Sequence, residues 1–187
     1  MVIAELKPLD EIKAMLRGYG RVLNVGCGGC VAVCLAGGQK EVDNLNLRLS
    51  LSFKGEALPF SIDGYTVERQ CEVPFLAELD RMVTPYQALL SMACGAGIQF
   101  LAERFPDKPV FPAVNTTFVG VNRDIGWYEE RSKCCGDCVL DMTAGICPVT
   151  MCAKSLFNGP CGGPRDGHCE VSEDIPCAWV NIYERLK

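Results

Sequence analysis

The chain has 187 residues, 49% of them apolar and 22% charged, enough to bury a core and unlike the composition of a disordered segment. Its net charge of −5 excludes a general nucleic-acid-binding role, because neutralising phosphates needs clustered Lys and Arg. The first eight residues carry an acid, Glu5, and no long apolar run. The longest apolar stretch, around residues 88–102, is broken by Ser, Gly and Gln, so neither a secretory signal nor a membrane span is expected and the chain reads as cytoplasmic.

In chain order, Ile3, Leu6, Leu9, Ile12, Met15 and Leu16 repeat at helical spacing and predict an amphipathic opening helix over 3–17, ended by Gly18 and Gly20. Residues 21–25 predict a buried strand that runs into the loop Gly26-Cys-Gly-Gly29 and a helix over 30–35. Past Gly37-Gly38 the helical pattern resumes over 42–51. Residues 65–70 are β-prone and stop at Cys71, and 73–82 are helical. Residues 88–93 form a buried strand, Cys94-Gly-Ala-Gly97 its turn, and 98–104 a helix. One more strand, weakened by its prolines, covers 109–114. Strand alternating with helix predicts an α/β domain over 1–125, a right-handed parallel sheet with flanking helices of the flavodoxin or Rossmann kind. From about Gly126 the pattern stops, and Gly, Pro and Cys punctuate every few residues. Residues 126–187 therefore read as a cysteine-rich segment that metal must help to hold.

Thirteen cysteines stand against one histidine, His168, which reads as a solvated loop residue. The odd count, the length and the α/β patterning favour metal-bound cytosolic thiols over a secreted disulfide scaffold. Soft thiolates without imidazole select iron–sulfur clusters or zinc. In a parallel sheet the strand-to-helix loops open at one edge, so Cys27, Cys71 and Cys94, at the ends of three strands, can converge there. Cys30 lies at the next helix N-terminus. Cys34 follows one turn later, where a buried thiol acting as a small hydrophobe is the competing reading. Gly26-x-Gly28 and Gly95-x-Gly97 each lack the third glycine of a dinucleotide fingerprint, with Val31 and Phe100 in its place. In the last third, Cys135-x-x-Cys138 is a two-ligand clip and Cys147-Pro148 partly matches the step that closes ferredoxin motifs. Pro160-Cys161-Gly-Gly163 is a rigid-then-flexible knuckle, and Cys152, Cys169 and Cys177 complete the set.

Several segments together carry a family likeness. They are Gly26-Cys-Gly-Gly-Cys-Val-Ala-Val-Cys34, Val67-Glu-Arg-Gln-Cys71, Ala93-Cys-Gly-Ala-Gly97, Gly145-Ile-Cys-Pro-Val-Thr-Met-Cys152, Asn158-Gly-Pro-Cys-Gly-Gly163, Gly167-His-Cys-Glu170 and Cys177-Ala-Trp179. The chain resembles the methylenetetrahydrofolate reductase C-terminal-domain family, in the free-standing form found as a small iron–sulfur subunit beside the flavin subunit in acetogens and related anaerobes. Ser132 stands where relatives often carry a cysteine, with Cys134 two residues on. The resemblance implies one or more 4Fe–4S clusters held by cysteines among Cys27, Cys30, Cys34, Cys71, Cys94, Cys135, Cys138, Cys147, Cys152, Cys161, Cys169 and Cys177. It implies docking on a (β/α)8 partner subunit that binds FAD and reduces methylene-tetrahydrofolate to methyl-tetrahydrofolate. Electrons would come from a ferredoxin or another donor module, and no residue of this chain would be catalytic. A four-thiolate zinc at the carboxy-terminal site, in a subunit that only braces the complex, is the alternative. A redox-sensing or corrinoid-related α/β domain with a labile cluster is a third, weaker reading.

Overall fold

A computed structural model describes residues 1–187. In chain order the elements are β1 (Val2–Leu6), α1 (Leu9–Leu16), β2 (Arg21–Cys27), α2 (Cys30–Val33), α3 (Gln39–Gly55), β3 (Ser61–Val67) and α4 (Val73–Leu76), which runs into a 3-10 turn over Ala77–Arg81. Next come β4 (Ala88–Ser91), α5 (Gly95–Arg104), β5 (Val110–Pro112), β6 (Val114–Asp124) and β7 (Trp127–Ser132). The chain ends with α6 (Pro148–Met151), β8 (His168–Cys169), β9 (Ser172–Pro176) and α7 (Ala178–Leu186). It divides into two compact units, Met1–Thr117 and Phe118–Lys187.

The first unit is a mixed α/β fold around a four-stranded parallel sheet in the order β3-β2-β4-β5. Alternation along the strands sends successive side chains to opposite faces. On one face Val22, Ala88, Leu90 and Met92 meet Ile12 and Leu16 of α1 and Val42, Leu45, Leu49 and Phe53 of α3. On the other, Leu23, Val25, Val67 and Leu89 meet Leu76, Leu79 and Leu101. Each such aliphatic side chain stabilises the fold by about 1.5–3 kcal/mol when fully buried. The crossover from β2 to β3 lies on the first face and those from β3 to β4 and β4 to β5 on the second. The winding therefore reverses between β2 and β4, and such switch points open a crevice at the carboxyl ends of the strands.

The opening segment corrects the expected helix over 3–17. Its first part is strand, and only Leu9–Leu16 is helical. Pro8 has no N–H to continue a helix and disfavours helical geometry at Lys7. The strand is held by neighbours distant in sequence: the Lys7 N–H donates to Ala113 O at 2.9 Å and the Thr117 hydroxyl to Ile3 O at 3.0 Å. Tertiary pairing has overridden local periodicity.

In the second unit, β6 and β7 form an antiparallel hairpin across Ile125-Gly126, with Gly126 at a φ of +79°. Regular structure therefore continues past Gly126, where the sequence pattern was expected to stop. Trp127–Ser132 gave no strand signal because its polar residues face both ways; side-chain pairs such as Arg123–Glu129, at 2.9 Å, line the hairpin instead. Among residues 118–187, the buried apolar side chains are essentially Pro148, Cys177, Ala178 and Ile182. Helix α7 packs on α6, and β8 and β9 form a short hairpin. No helix is long and apolar enough to cross a membrane.

Candidate metal centres

All thirteen cysteines are free thiols. At the carboxyl edge of the parallel sheet, Cys27 ends β2, Cys94 caps α5 after β4, and Cys71 follows β3. Cys27 and Cys94 thus flank the switch point. Burial raises the Cys27 thiol above its ordinary range. The N–H groups of Gln70 and Gly29, aimed at its sulfur, oppose that rise, while Cys71 and Cys94 add to it as like charges. Cys71 and Cys94 are thus the like charges that act on the Cys27 thiol. As thiolates they repel one another, and a bound cation would reverse that repulsion.

One buried residue missing from the sequence reading organises this edge. Gln70 is fully buried, and its side-chain amide donates to Val25 O at 2.7 Å and Gly26 O at 3.1 Å. Its Oε1 accepts from the Ser91 hydroxyl at 2.7 Å. Only its position, next to Cys71, could have marked it in the sequence.

Cys30 and Cys34 lie one helical turn apart and interact as neighbouring charges, but the Cys34 sulfur is engaged elsewhere. It accepts from Ala4 N–H at 3.4 Å and lies 3.5 Å from the carbonyls of Ala4 and Val31. Burial is the main cause raising its thiol above the ordinary range.

In the second unit, Cys152, Cys161, Cys169 and Cys177 line a single cavity with Met151, Leu156 and Trp179. They arrive from four places: the end of α6, the 158–163 knuckle, β8 and the cap of α7. The wall is fixed by Trp179 Nε1 donating to Leu156 O at 2.9 Å and by the Cys177 N–H donating to Gly167 O at 2.8 Å. An ion pair between Lys154 and Glu170 closes one side. His168 is exposed on β8 and outside this lining.

Cys147 lines a different cavity, of about 400 Å³, with Arg131, Thr150 and Arg185. Burial pushes its thiol up. The Thr150 hydroxyl and the N–H groups of Thr150 and Val149 more than offset this and hold it below the ordinary range. Cys134, Cys135 and Cys138 are exposed on the loop after β7, where Cys135 Sγ lies 3.6 Å from Asp137 O, and they line neither cavity. Nowhere do three His, Cys, Asp or Glu side chains stand grouped as a single metal ion would need.

Residues 111–187 match the family model described as methylene-tetrahydrofolate reductase C terminal. The matched segment holds the four-cysteine cavity, Cys147 and the Cys135-Gly-Asp-Cys138 loop, and it covers less than half of the chain. No curated protein and no solved structure matches.

Proposed function

We propose that the chain is an iron–sulfur electron-transfer subunit of a methylenetetrahydrofolate reductase complex. The observation that carries this reading is the single cavity lined by Cys152, Cys161, Cys169 and Cys177 inside the segment that matches the reductase C-terminal family. Four thiols without an imidazole form a soft, all-sulfur donor set, which fits an iron–sulfur cluster. Cys27, Cys71 and Cys94, with Cys30 nearby, offer a second thiol-rich edge at the switch point of the sheet. Cys135, Cys138 and Cys147 are kept as candidate ligands on their spacing. A cluster, when bound, supplies one-electron redox chemistry tuned by burial and by hydrogen bonds to sulfur.

On this reading the chain's own residues hold and insulate the redox groups, while the folate is reduced on a FAD-containing partner subunit. Electrons enter from a ferredoxin or another donor module. Trp179, Leu156 and Met151 supply apolar walls around one thiol set, and the buried Gln70 side chain braces the strand ends that carry the other.

The second reading, a zinc-braced assembly subunit, draws on the thin apolar core of residues 118–187, which any thiolate-bound metal would stabilise. Anaerobic purification with iron, sulfide and zinc determination, followed by EPR after reduction, separates the two. Iron and sulfide in matching amounts with a reducible signal are expected; stoichiometric zinc with negligible iron would replace electron transfer by bracing.

A further inference from the structure

Glutamine seldom occupies a fully buried position, because its amide carries two N–H donors and a carbonyl that water would otherwise satisfy. Gln70 is 0% exposed, and its amide is satisfied by groups from two other chain segments. Both amide hydrogens go to the end of β2, to Val25 O and Gly26 O, immediately before Cys27. Its carbonyl takes the Ser91 hydroxyl at the end of β4, and Ser91 Oγ in turn accepts the Ala93 N–H at 3.3 Å, immediately before Cys94. The backbone of Gln70 leads directly into Cys71. Gly97 of α5 packs against it so closely that an added Cβ would lie 2.9 Å from Gln70 Cβ. One side chain therefore ties together the three loops that carry Cys27, Cys71 and Cys94.

We propose that Gln70, with Ser91, is the positioning residue of the strand-end thiol set, fixing the spacing of Cys27, Cys71 and Cys94. The inference deepens the iron–sulfur reading and rests on it for the first unit. A network of this kind acts on a metal group in two ways. It holds the ligands at one separation, so the group is released slowly, and it fixes the orientation of the sulfur ligands, which sets the electronic environment of the group. Neither effect requires Gln70 to touch the metal.

The test uses the full chain, purified anaerobically, as wild type, Gln70→Met, Ser91→Ala and Cys27→Ser. Gln70→Met keeps the length of the side chain and removes every amide hydrogen bond; Ser91→Ala cuts only the tie to β4. The strand-end centre is identified as the iron and the EPR signal missing from Cys27→Ser. In Gln70→Met and Ser91→Ala that signal is expected to change its g-values and its reduction potential. Its iron is expected to pass to a chelator about 10- to 100-fold faster than in wild type, the usual effect of losing a partner that orients a ligand. The melt of the metal-free full chain of Ser91→Ala serves as the structural control and is expected to fall only by the loss of one buried hydrogen bond. Wild-type g-values, potential and release rate in both variants would overturn the positioning role. So would faster release accompanied only by a matching loss of metal-free stability, with g-values and potential unmoved. If Cys27→Ser loses no iron, the strand-end centre itself is absent, and the underlying reading fails before the role of Gln70 is reached.

Discussion

The indole of Trp179 occupies the space that a Cβ on Gly159 would need. Two residues after Gly159 comes Cys161, so a contact made by α7 sets the path of the loop that presents a cavity thiol. The contact is doubled by Trp179 Nε1 bonding Leu156 O and by the Tyr183 hydroxyl donating to Gly159 O at 3.3 Å. Gly159→Ala should destabilise the second unit by about 1–3 kcal/mol through overpacking. It should also lower the metal content of the four-cysteine site, measured by metal analysis beside a denaturant melt. A variant that binds metal normally and melts like wild type would show that the knuckle is free to move off the ring.

Cys161 and Cys34 should respond differently to substitution. Cys161 lines the cavity yet is exposed on its loop, so burial does not account for its thiol. Cys34 is buried and hydrogen-bonded to β1 and α2. Cys161→Ala is expected to deplete carboxy-terminal metal, whereas Cys34→Ala should cost the first unit about 1–2 kcal/mol in lost burial and hydrogen bonding and leave metal in place. Equal metal loss in the two variants would make Cys34 a ligand.

Removing metal should divide the chain. Residues 1–117 contain two apolar clusters on the two faces of the sheet, while residues 118–187 bury few apolar side chains. With thiols kept reduced and metal chelated, hydrogen exchange should stay slow in β2, β4 and α3 and become fast throughout 127–187. In air the second unit should then oxidise and aggregate. Unchanged protection of residues 127–187 after chelation would show that the segment folds on packing alone.

The two thiol sets should also fill independently, because their cysteines belong to separate compact units. Cys27→Ser is expected to remove strand-end metal only. Should that one substitution empty the Cys152–Cys161–Cys169–Cys177 site as well, as judged by metal per chain, the sites share a centre and the assignment of ligands changes.

Acid should reveal a structural ion pair in the first unit. The hydrogen bond from Lys13 Nζ, 2.7 Å from Glu56 Oε1, holds the Glu56 carboxyl below the ordinary carboxylate range, with a smaller contribution from Arg17. A depressed carboxyl contributes stability above its unfolded-state pKa and loses it as pH falls through the folded one. The stability gap between wild type and Lys13→Met should be widest near neutral pH and close in acid, followed by urea melts across pH. A gap that ignores pH would assign the effect to the Lys13 ammonium over the Phe53 ring rather than to its ion pair.

The sequence by itself determined the parallel sheet, its helices and the edge at which cysteines gather. Those features are local: apolar runs such as Val22 to Val25 and Ala88 to Met92, glycine turns beside Cys27 and Cys94, and the helical spacing of Val42, Leu45 and Leu49. The likeness to the reductase family was also legible, because its motifs surround cysteines whose spacing no packing requirement explains. Tertiary structure alone decided the rest. Val2–Leu6 became a strand because Ala113 and Thr117, more than a hundred residues away, offered backbone and hydroxyl partners that outweighed a helical pattern interrupted by Pro8. The β6–β7 hairpin was hidden because polar residues on both faces leave no alternation to read. Which thiols line one cavity was likewise a matter of three dimensions. Cys152, Cys161, Cys169 and Cys177 meet in one cavity while Cys147 opens into another, and Gln70 bridges two strand ends, because hydrogen bonds and close packing join residues that nothing in their order along the chain connects.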